Sequence, residues 1–449
     1  MIDEARVKET LSTSELCPGM FVSDLDRPWL GTPFLIQGFL IEDEQQIAEL
    51  QRCCRSVVVD RSRSVGEQAK ARGAHFRFKP SEPAPRRVAV EEYVQADQAT
   101  PDDFPAICRV LRTRSTAGRR FPRPPVVNPV DGQSRLEPEM LYSAPIVDDI
   151  KRTLEAIRNS SDLEGGGKIE QIGELVGELA EGVSRNPDAV LWLTRLKSTD
   201  QYSYDHAVDV SVHLMVFGRF LNLAADMVEK LGLVGMMQDI GKVDIPRDVL
   251  NKPDQLTAEE YALIQSHVAS SLEMLRKQPA FDAEMLEIVA GHHERYDGSG
   301  YPSRLQGEKI SLHAELAGML DAYCAMTRNR CYNSGVSHQR ALEALIGSRG
   351  SKFRAALVDQ FIQSMGLYPV GTLVELNSGE VAVVIQQNRV RRLQPRVLVI
   401  LAADKSIERY PRTLDLMMNP ANALGETYRI LRSLPPDAYG IDPRELYLA

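Results

Sequence analysis

The sequence predicts a mainly α-helical protein with a small α+β module at its N-terminal end and a small β segment at its C-terminal end. Three observations predict this. From about residue 141 to 365, apolar residues recur at three- and four-residue steps almost without a break. Runs with strand character occur up to residue 60 and again from residue 372. Between the first module and the helices, residues 79–140 are rich in Pro and Arg, which block continuous helix or sheet.

With 449 residues the chain is too long for one ordinary core. The first module, 1–78, reads strand, strand, helix, strand: MFVSDL, TPFLIQGFLI, EDEQQIAELQRCC and SVVVD. Residues 79–140 are a linker through KPSEPAPRR and RTRSTAGRRFPRPPVVNP, with a short helical insert at DFPAICRVLR. The helical domain, 141–365, carries the stripe Ile169, Ile172, Leu175, Val176, Leu179 and Val183, which serves a dimer as well as a core. Similar stripes follow in VLWLTRL, HAVDVSVHLMVFGRFL and 225–238. In the last segment, 366–449, TLVEL and EVAVVIQQ flank Asn377-Ser378-Gly379 as a hairpin. PRVLVILAA adds a third strand, and a terminal helix closes the segment.

Composition excludes some classes of function. Hydrophobic content of 43% and charged content of 26% are those of a globular protein. No apolar run spans a bilayer, and MIDEARVKET lacks the basic and apolar regions of a signal peptide, so a cytoplasmic protein without a membrane span is expected. A net charge of −9 argues against a general nucleic-acid binder, while leaving room for a small phosphate ligand held by metals or local cations. The cysteines Cys17, Cys53, Cys54, Cys108, Cys324 and Cys331 form no C-x-x-C pair and read as free thiols. Adjacent Cys53-Cys54 reads as partly buried packing in the first module.

Chemistry gathers in the helical domain, where six of the eight histidines lie between 206 and 313. His206 sits early on a helix, Asp239 follows an apolar helix in LVGMMQDIGKVDIP, and His267 opens QSHVASSLEML. His292-His293 close LEIVAGHHE, and Asp321 lies in AGMLDAYCAM. A lone helical histidine is more often packing than ligand. A buried unpaired carboxylate at Asp321 is costly, however, and only a helix end lets the two adjacent histidines converge. Imidazole nitrogen with carboxylate oxygen suits Fe, Mn, Zn or Ni, and a carboxylate can bridge two such ions. His213, seven residues after His206, reads as packing or support, and His313 and His338 as solvent-exposed helix.

HHERYDGSGYP, together with IGKVDIPRDVLNKPDQLTAEEYALIQSH and LDAYCAMTRNRCY, resembles the HD-GYP family, cyclic di-GMP phosphodiesterases of the HD superfamily. The resemblance covers about 141–365 and implies an all-helical, HD-type metal-dependent phosphohydrolase domain. It implies metal ligation by His206, Asp239, His267, His292, His293 and Asp321, with Asp239 bridging. It also implies catalytic roles for Asp239 and Lys242, with Lys242 contacting the phosphate and assisting the attacking water or leaving group, substrate contacts at Tyr301 and Arg330, and a GYP loop of Asp297, Gly298, Gly300, Tyr301 and Pro302. The glycines of that loop allow a tight, positive-φ turn and Tyr301-Pro302 a stiff exposed tip. One or two divalent ions, Fe or Mn, and cyclic di-GMP are the implied cofactor and substrate, with pGpG or GMP as product. GGDEF-type diguanylate cyclases are candidate partners through the GYP loop.

Three departures bear on activity. Gln238 stands where the family's dyad has histidine, and an amide oxygen is a poorer ligand for a transition metal than imidazole. The resemblance therefore implies one intact metal site, on Asp239, His267, His292 and His293, and one weakened site, on His206, Asp239 and Asp321. Tyr202 stands where some members place a glutamate for a third metal, and Asn333 replaces the second arginine of an Arg-Pro-Tyr-Arg pattern. Two readings follow: an active cyclic di-GMP phosphodiesterase, or a catalytically impaired relative acting as a cyclic di-GMP sensor or protein-interaction module.

Overall fold

A computed structural model describes residues 8–26, 39–41, 44–61, 64, 104, 107–108, 111, 116–124, 126–128, 133–158, 167–196, 202–250, 252, 254–327, 336–388, 391–422, 424–435 and 438–440. The chain forms two compact units, Met1–Arg87 with Asn388–Pro395, and Val88–Gln387 with Arg396–Ala449.

In the first unit, strands β1 (Lys8–Ser12), β2 (Phe21–Leu25), β3 (Phe39–Leu40) and β4 (Ser56–Asp60) form one sheet in the order β1-β4-β2-β3. Helix α1 (Glu44–Cys53) connects β3 to β4. Val22, Ile41, Leu50, Val57 and Val59 make its core, and Cys54 is buried among them. The expected strand at TPFLIQGFLI lies mostly outside the described residues. β1 has no counterpart in the sequence reading because KETLS alternates too weakly in hydropathy. Its pairing with β4, from Lys8 opposite Asp60 to Ser12 opposite Ser56, creates it.

The second unit is mainly α-helical. Two short strands, β5 (Val126–Asn128) and β6 (Gln133–Ser134), precede helices α2 (Leu136–Arg158), α3 (Gly167–Arg185) and α4 (Pro187–Leu196). Helices α5 (Tyr202–Phe220) and α6 (Ala225–Met237) follow. Then come α7 (Arg247–Leu250), α8 (Ala258–Gln265), α9 (His267–Leu275), α10 (Ala283–Gly291), α11 (Leu312–Thr327), α12 (His338–Gly347) and α13 (Ala355–Met365). No helix among the described residues is long and apolar enough to cross a membrane. The α3 stripe from Ile169 to Val183 is buried in this unit's own core. The helical insert expected within the linker joins that core. Phe104, Ile107, Cys108 and Leu111 follow helical spacing and are buried in the same core, with the Phe104 ring edge-on to Trp192 at 5.3 Å.

One close approach positions the site. Glycines at 232 and 235 let α6 lie against α5: a Cβ on Gly235 would stand 2.8 Å from Ser211 Cα, and Ser211 Oγ donates to Gly232 O at 2.7 Å. The two helices meet through a short loop, so the start of α5, with His206, stands beside the end of α6, with Gln238 and Asp239.

The C-terminal segment is larger than the expected three strands. β7 (Leu373–Leu376), β8 (Val381–Gln386), β9 (Arg396–Leu401), β10 (Ile407–Asp415) and β11 (Ile430–Leu434) form an antiparallel sheet in the order β10-β9-β8-β7-β11. The hairpin turns at Gly379, whose φ of 83° is in the left-handed region. Of the expected terminal helix, the described residues hold a single 3₁₀ turn at Ala438–Gly440, and Ile430–Leu434 is a strand because it pairs with β7. The sheet is apolar on both faces. Val383, Ile385, Leu398 and Ile400 join the helical core, while Val384, Val397 and Val399 pack on Leu416 and Tyr428. Trp192 Nε1 donates to Ile385 O at 2.7 Å from inside that seam. Trp192→Phe strands this carbonyl and is expected to cost about 1–3 kcal/mol, read as a lower urea midpoint with an unchanged slope; an unchanged midpoint refutes the assignment.

Candidate metal centre

All the ligand-type side chains except Asp321, which lies inside α11, sit where the local sequence ends or starts a helix. Asp282 caps α10 by accepting from Met285 N at 2.9 Å, and the helix runs out at Gly291, which leaves His292 and His293 on its last turn. His267 opens α9 directly after Ser266, the shared joint with α8. Gln238 ends α6, its N–H bonded to Val234 O, and Asp239 leaves helical geometry at φ −99°, ψ 9°. Gly241 then lets the chain press on α9, since a Cβ there would stand 2.3 Å from His267 O.

Two groups result, and they share Asp239. Ligand atoms of Asp239, His267, His292 and His293 lie within 4.8 Å of one another, as do those of His206, Asp239 and Asp321. His267 Nδ1 bonds Ile264 O and His292 Nδ1 bonds Val289 O, both at 2.6 Å. A carbonyl can only accept, so each Nδ1 carries a proton, and in the neutral ring each Nε2 presents a lone pair. Those lone pairs face Asp239 Oδ1 at 3.2 Å and 3.7 Å. Asp239 Oδ1 and the Nε2 atoms of His267, His292 and His293 are buried without a hydrogen-bond partner. Four buried acceptors turned on one point repel each other unless a cation lies between them. The donor set of three imidazoles and a carboxylate fits a divalent transition metal.

The second group is poorer. His206 Nε2 lies 2.9 Å from Asp321 Oδ1, while the Gln238 amide reaches the same oxygen only at 3.5 Å, with Gln238 Oε1 buried and unpartnered. Tyr202 begins α5, but its side chain lies outside the described residues.

The charges are strongly perturbed. Burial pushes the Asp239 carboxyl up, but the positive charge of Lys242 works against it, and the group stays well below the usual carboxylate range. Lys242 Nζ lies 2.6 Å from Asp239 Oδ2, the oxygen turned away from the histidines. Burial likewise raises Asp321, and the hydrogen bond and charge of His206 bring it below its ordinary value. Burial, reinforced by His292, keeps His293 well below the usual histidine range and therefore neutral, the form that ligates.

The loop after His293 departs from expectation. Gly298 has the positive φ anticipated for the turn, 80°. Gly300 does not; its need is space, because a Cβ would stand 2.4 Å from both His293 O and Arg295 N. Tyr301 is no exposed tip. Its ring stacks on His293 with centroids 4.6 Å apart, joined to an exposed Pro302 by a cis peptide bond. Asp297 stays at the exposed edge and accepts from Ser299 N at 2.9 Å. Arg330, Cys331 and Asn333 lie outside the described residues.

The sequence reading missed several supports. Glu294 is buried and accepts from Ser303 N at 2.7 Å and Leu305 N at 2.9 Å, which closes the loop. An acid directly after two histidines, ahead of a Gly-rich turn, was the available signal. Gly318 on α11 admits His292, since a Cβ would stand 2.1 Å from His292 O. Gly318→Ala is expected to cost about 1–3 kcal/mol and to lower metal content, measured by denaturation and elemental analysis; full metal content at wild-type stability refutes this. His338 is not exposed: Tyr323 OH lies 2.6 Å from its Nδ1, at the end of a ring contact that begins with His213. His313 is half-buried near Glu284.

A carboxylate shared by two His/Asp groups inside a helical bundle defines the HD class of domain. A profile described as an HD domain matches residues 193–357, a range that contains every member of both groups, and one described as a domain of unknown function matches 8–141. A cyclic di-GMP phosphodiesterase of Pseudomonas aeruginosa is 30% identical over 96% of this chain and 92% of its own length. A cyclic di-GMP phosphodiesterase of Vibrio cholerae is 32% identical over 47% of this chain and 38% of its own. A 3′3′-cGAMP-specific phosphodiesterase of the same organism is 31% identical over 35% of this chain and 30% of its own. The chain belongs to the HD-GYP family.

Proposed function

We propose that this protein is a metal-dependent phosphodiesterase that hydrolyses cyclic di-GMP to pGpG or on to GMP, as part of second-messenger signalling in the cytoplasm. The observation that carries the reading is the convergence of three histidine lone pairs and Asp239 Oδ1 on one buried point, with no protein donor to satisfy them. The names of the relatives supply the substrate.

Asp239, His267, His292 and His293 would hold one ion, and His206, Asp239 and Asp321 would hold a second, with Gln238 a weak ligand at most. We assign the ion as Fe or Mn, which the mixed imidazole and carboxylate donors suit. When bound, such ions polarise the phosphodiester and lower the pKa of water. The chain's own contributions surround them. Asp239, ionised throughout the neutral range, joins the two groups. The Nδ1–carbonyl bonds fix the rings of His267 and His292. Lys242 supplies a positive charge at the edge of the cluster for a phosphate oxygen. Tyr301, stacked on His293, forms a wall beside the substrate.

The test is to load the full chain with Mn or Fe, count metal per chain and assay cyclic di-GMP. Metal-dependent turnover that a chelator removes and added metal restores is expected; turnover untouched by exhaustive chelation refutes the metal reading, and absence of turnover in the loaded protein refutes the enzyme reading. One observation favours a second reading. With Gln238 turning its amide nitrogen toward Asp321, the second group lacks a ligand, and an impaired protein would act as a cyclic di-GMP sensor or meet a GGDEF-type cyclase through the exposed Pro302 and Ser303.

A further inference from the structure

We propose that the open cavity between α8 and the GYP loop seats a guanine base of the dinucleotide, with Tyr261 stacking on the base and Arg304 and Gln265 reading its edge. This rests on the substrate reading above and adds residues that contact the base.

The cavity holds about 560 Å³ and is lined by Tyr261, Gln265, Gly298, Gly300, Tyr301 and Arg304, among others. That volume is within the range of small-molecule sites, about 300–1,000 Å³. It adjoins the metal-ligand cluster through one shared wall, since the Tyr301 ring lies 4.6 Å from that of His293 and 6.5 Å from that of His267. A base seated there is near the phosphate that the cluster would hold.

Tyr261 is not a core residue. α8 buries none of its residues, and Tyr261 is 49% exposed. Its ring stands edge-on to Tyr301, centroids 6.3 Å apart at 79°, so the two rings meet at a corner rather than in a closed stack. Aromatic faces of this kind bind bases by stacking. The floor is kept clear by Gly298, where even a Cβ would meet nothing closer than 3.6 Å.

The polar lining is also uncommitted. Among the described residues, neither the Gln265 nor the Arg304 side chain has a hydrogen-bond or ion-pair partner, although Gln265 is half-buried. Arg304 is held at φ 53°, in the left-handed region that a long side chain rarely adopts. A guanidinium matches the O6 and N7 acceptors of guanine in a bidentate pair, and adenine replaces O6 with a donor that repels it. Gln265 offers both a donor and an acceptor to the remaining edge.

The test uses the full metal-loaded chain. Tyr261→Ala is expected to raise KM for cyclic di-GMP about tenfold, with kcat and metal content little changed, and Tyr261→Phe to restore KM because stacking needs only the ring. Arg304→Ala is expected to lower the preference for cyclic di-GMP over cyclic di-AMP about tenfold. An unchanged KM in Tyr261→Ala, failure of Tyr261→Phe to restore it, or an unchanged preference in Arg304→Ala overturns the proposal. If the protein binds without turnover, the same ratios are read as Kd by calorimetry, so loss of the enzyme reading leaves this test standing. A wild type that neither binds nor cleaves cyclic di-GMP overturns the substrate reading instead, and this proposal with it.

Discussion

Gln238→His raises metal content from about one ion per chain toward two, and raises turnover of cyclic di-GMP roughly 100-fold. The expectation follows from the second group. His206 and Asp321 are bonded to each other at 2.9 Å, and the third position is an amide whose oxygen is buried without a partner. Imidazole is the stronger ligand, and its ring nitrogen can replace that oxygen at the same buried helix end. His206, Asp239, Asp321 and the new imidazole would hold a second ion, which would supply further charge stabilisation at the phosphate. Elemental analysis and steady-state assays of the two proteins side by side decide the matter. If wild type already holds two ions and turns over as fast as the variant, Gln238 is a working ligand.

Asp239→Ala removes the one group common to both clusters, so metal content falls toward zero and turnover drops about 1,000-fold or more. The fold is expected to survive, because Asp239 packs at a helix exit and the neighbouring Gly241 contact with α9, including Gly241 N donating to Ser271 Oγ at 2.9 Å, does not involve its side chain. Circular dichroism and chelator-sensitive turnover are the measurements. Persisting metal-dependent turnover in a folded variant places the chemistry elsewhere.

These two substitutions also mark how much of the site could be read in advance. The ligand-type residues were legible because histidine and aspartate in apolar helices are expensive without a partner, and because the residues from His292 to Pro302 form one contiguous signature. The helical domain was legible from its periodicity, and the hairpin from Asn377-Ser378-Gly379. β1 was not, since KETLS has little strand character until β4 pairs with it. The fifth strand of the C-terminal sheet was hidden for the same reason: Ile430–Leu434 pairs with a strand far back in the chain.

The amino-acid sequence by itself determined the donor chemistry, the helical frame and the substitution, at Gln238, that bears most directly on the metal ligands. All of these are properties of residue type and local spacing. Tertiary structure decided which donors meet, because His206 and Asp321 belong to helices far apart in the chain, and Asp239 joins both groups only where α6 ends. It also placed Tyr301 against His293, gave Gly300 and Gly318 their need for space, and opened the cavity at Tyr261. Contacts of that kind depend on the packing of whole helices, and no local pattern of residues encodes them.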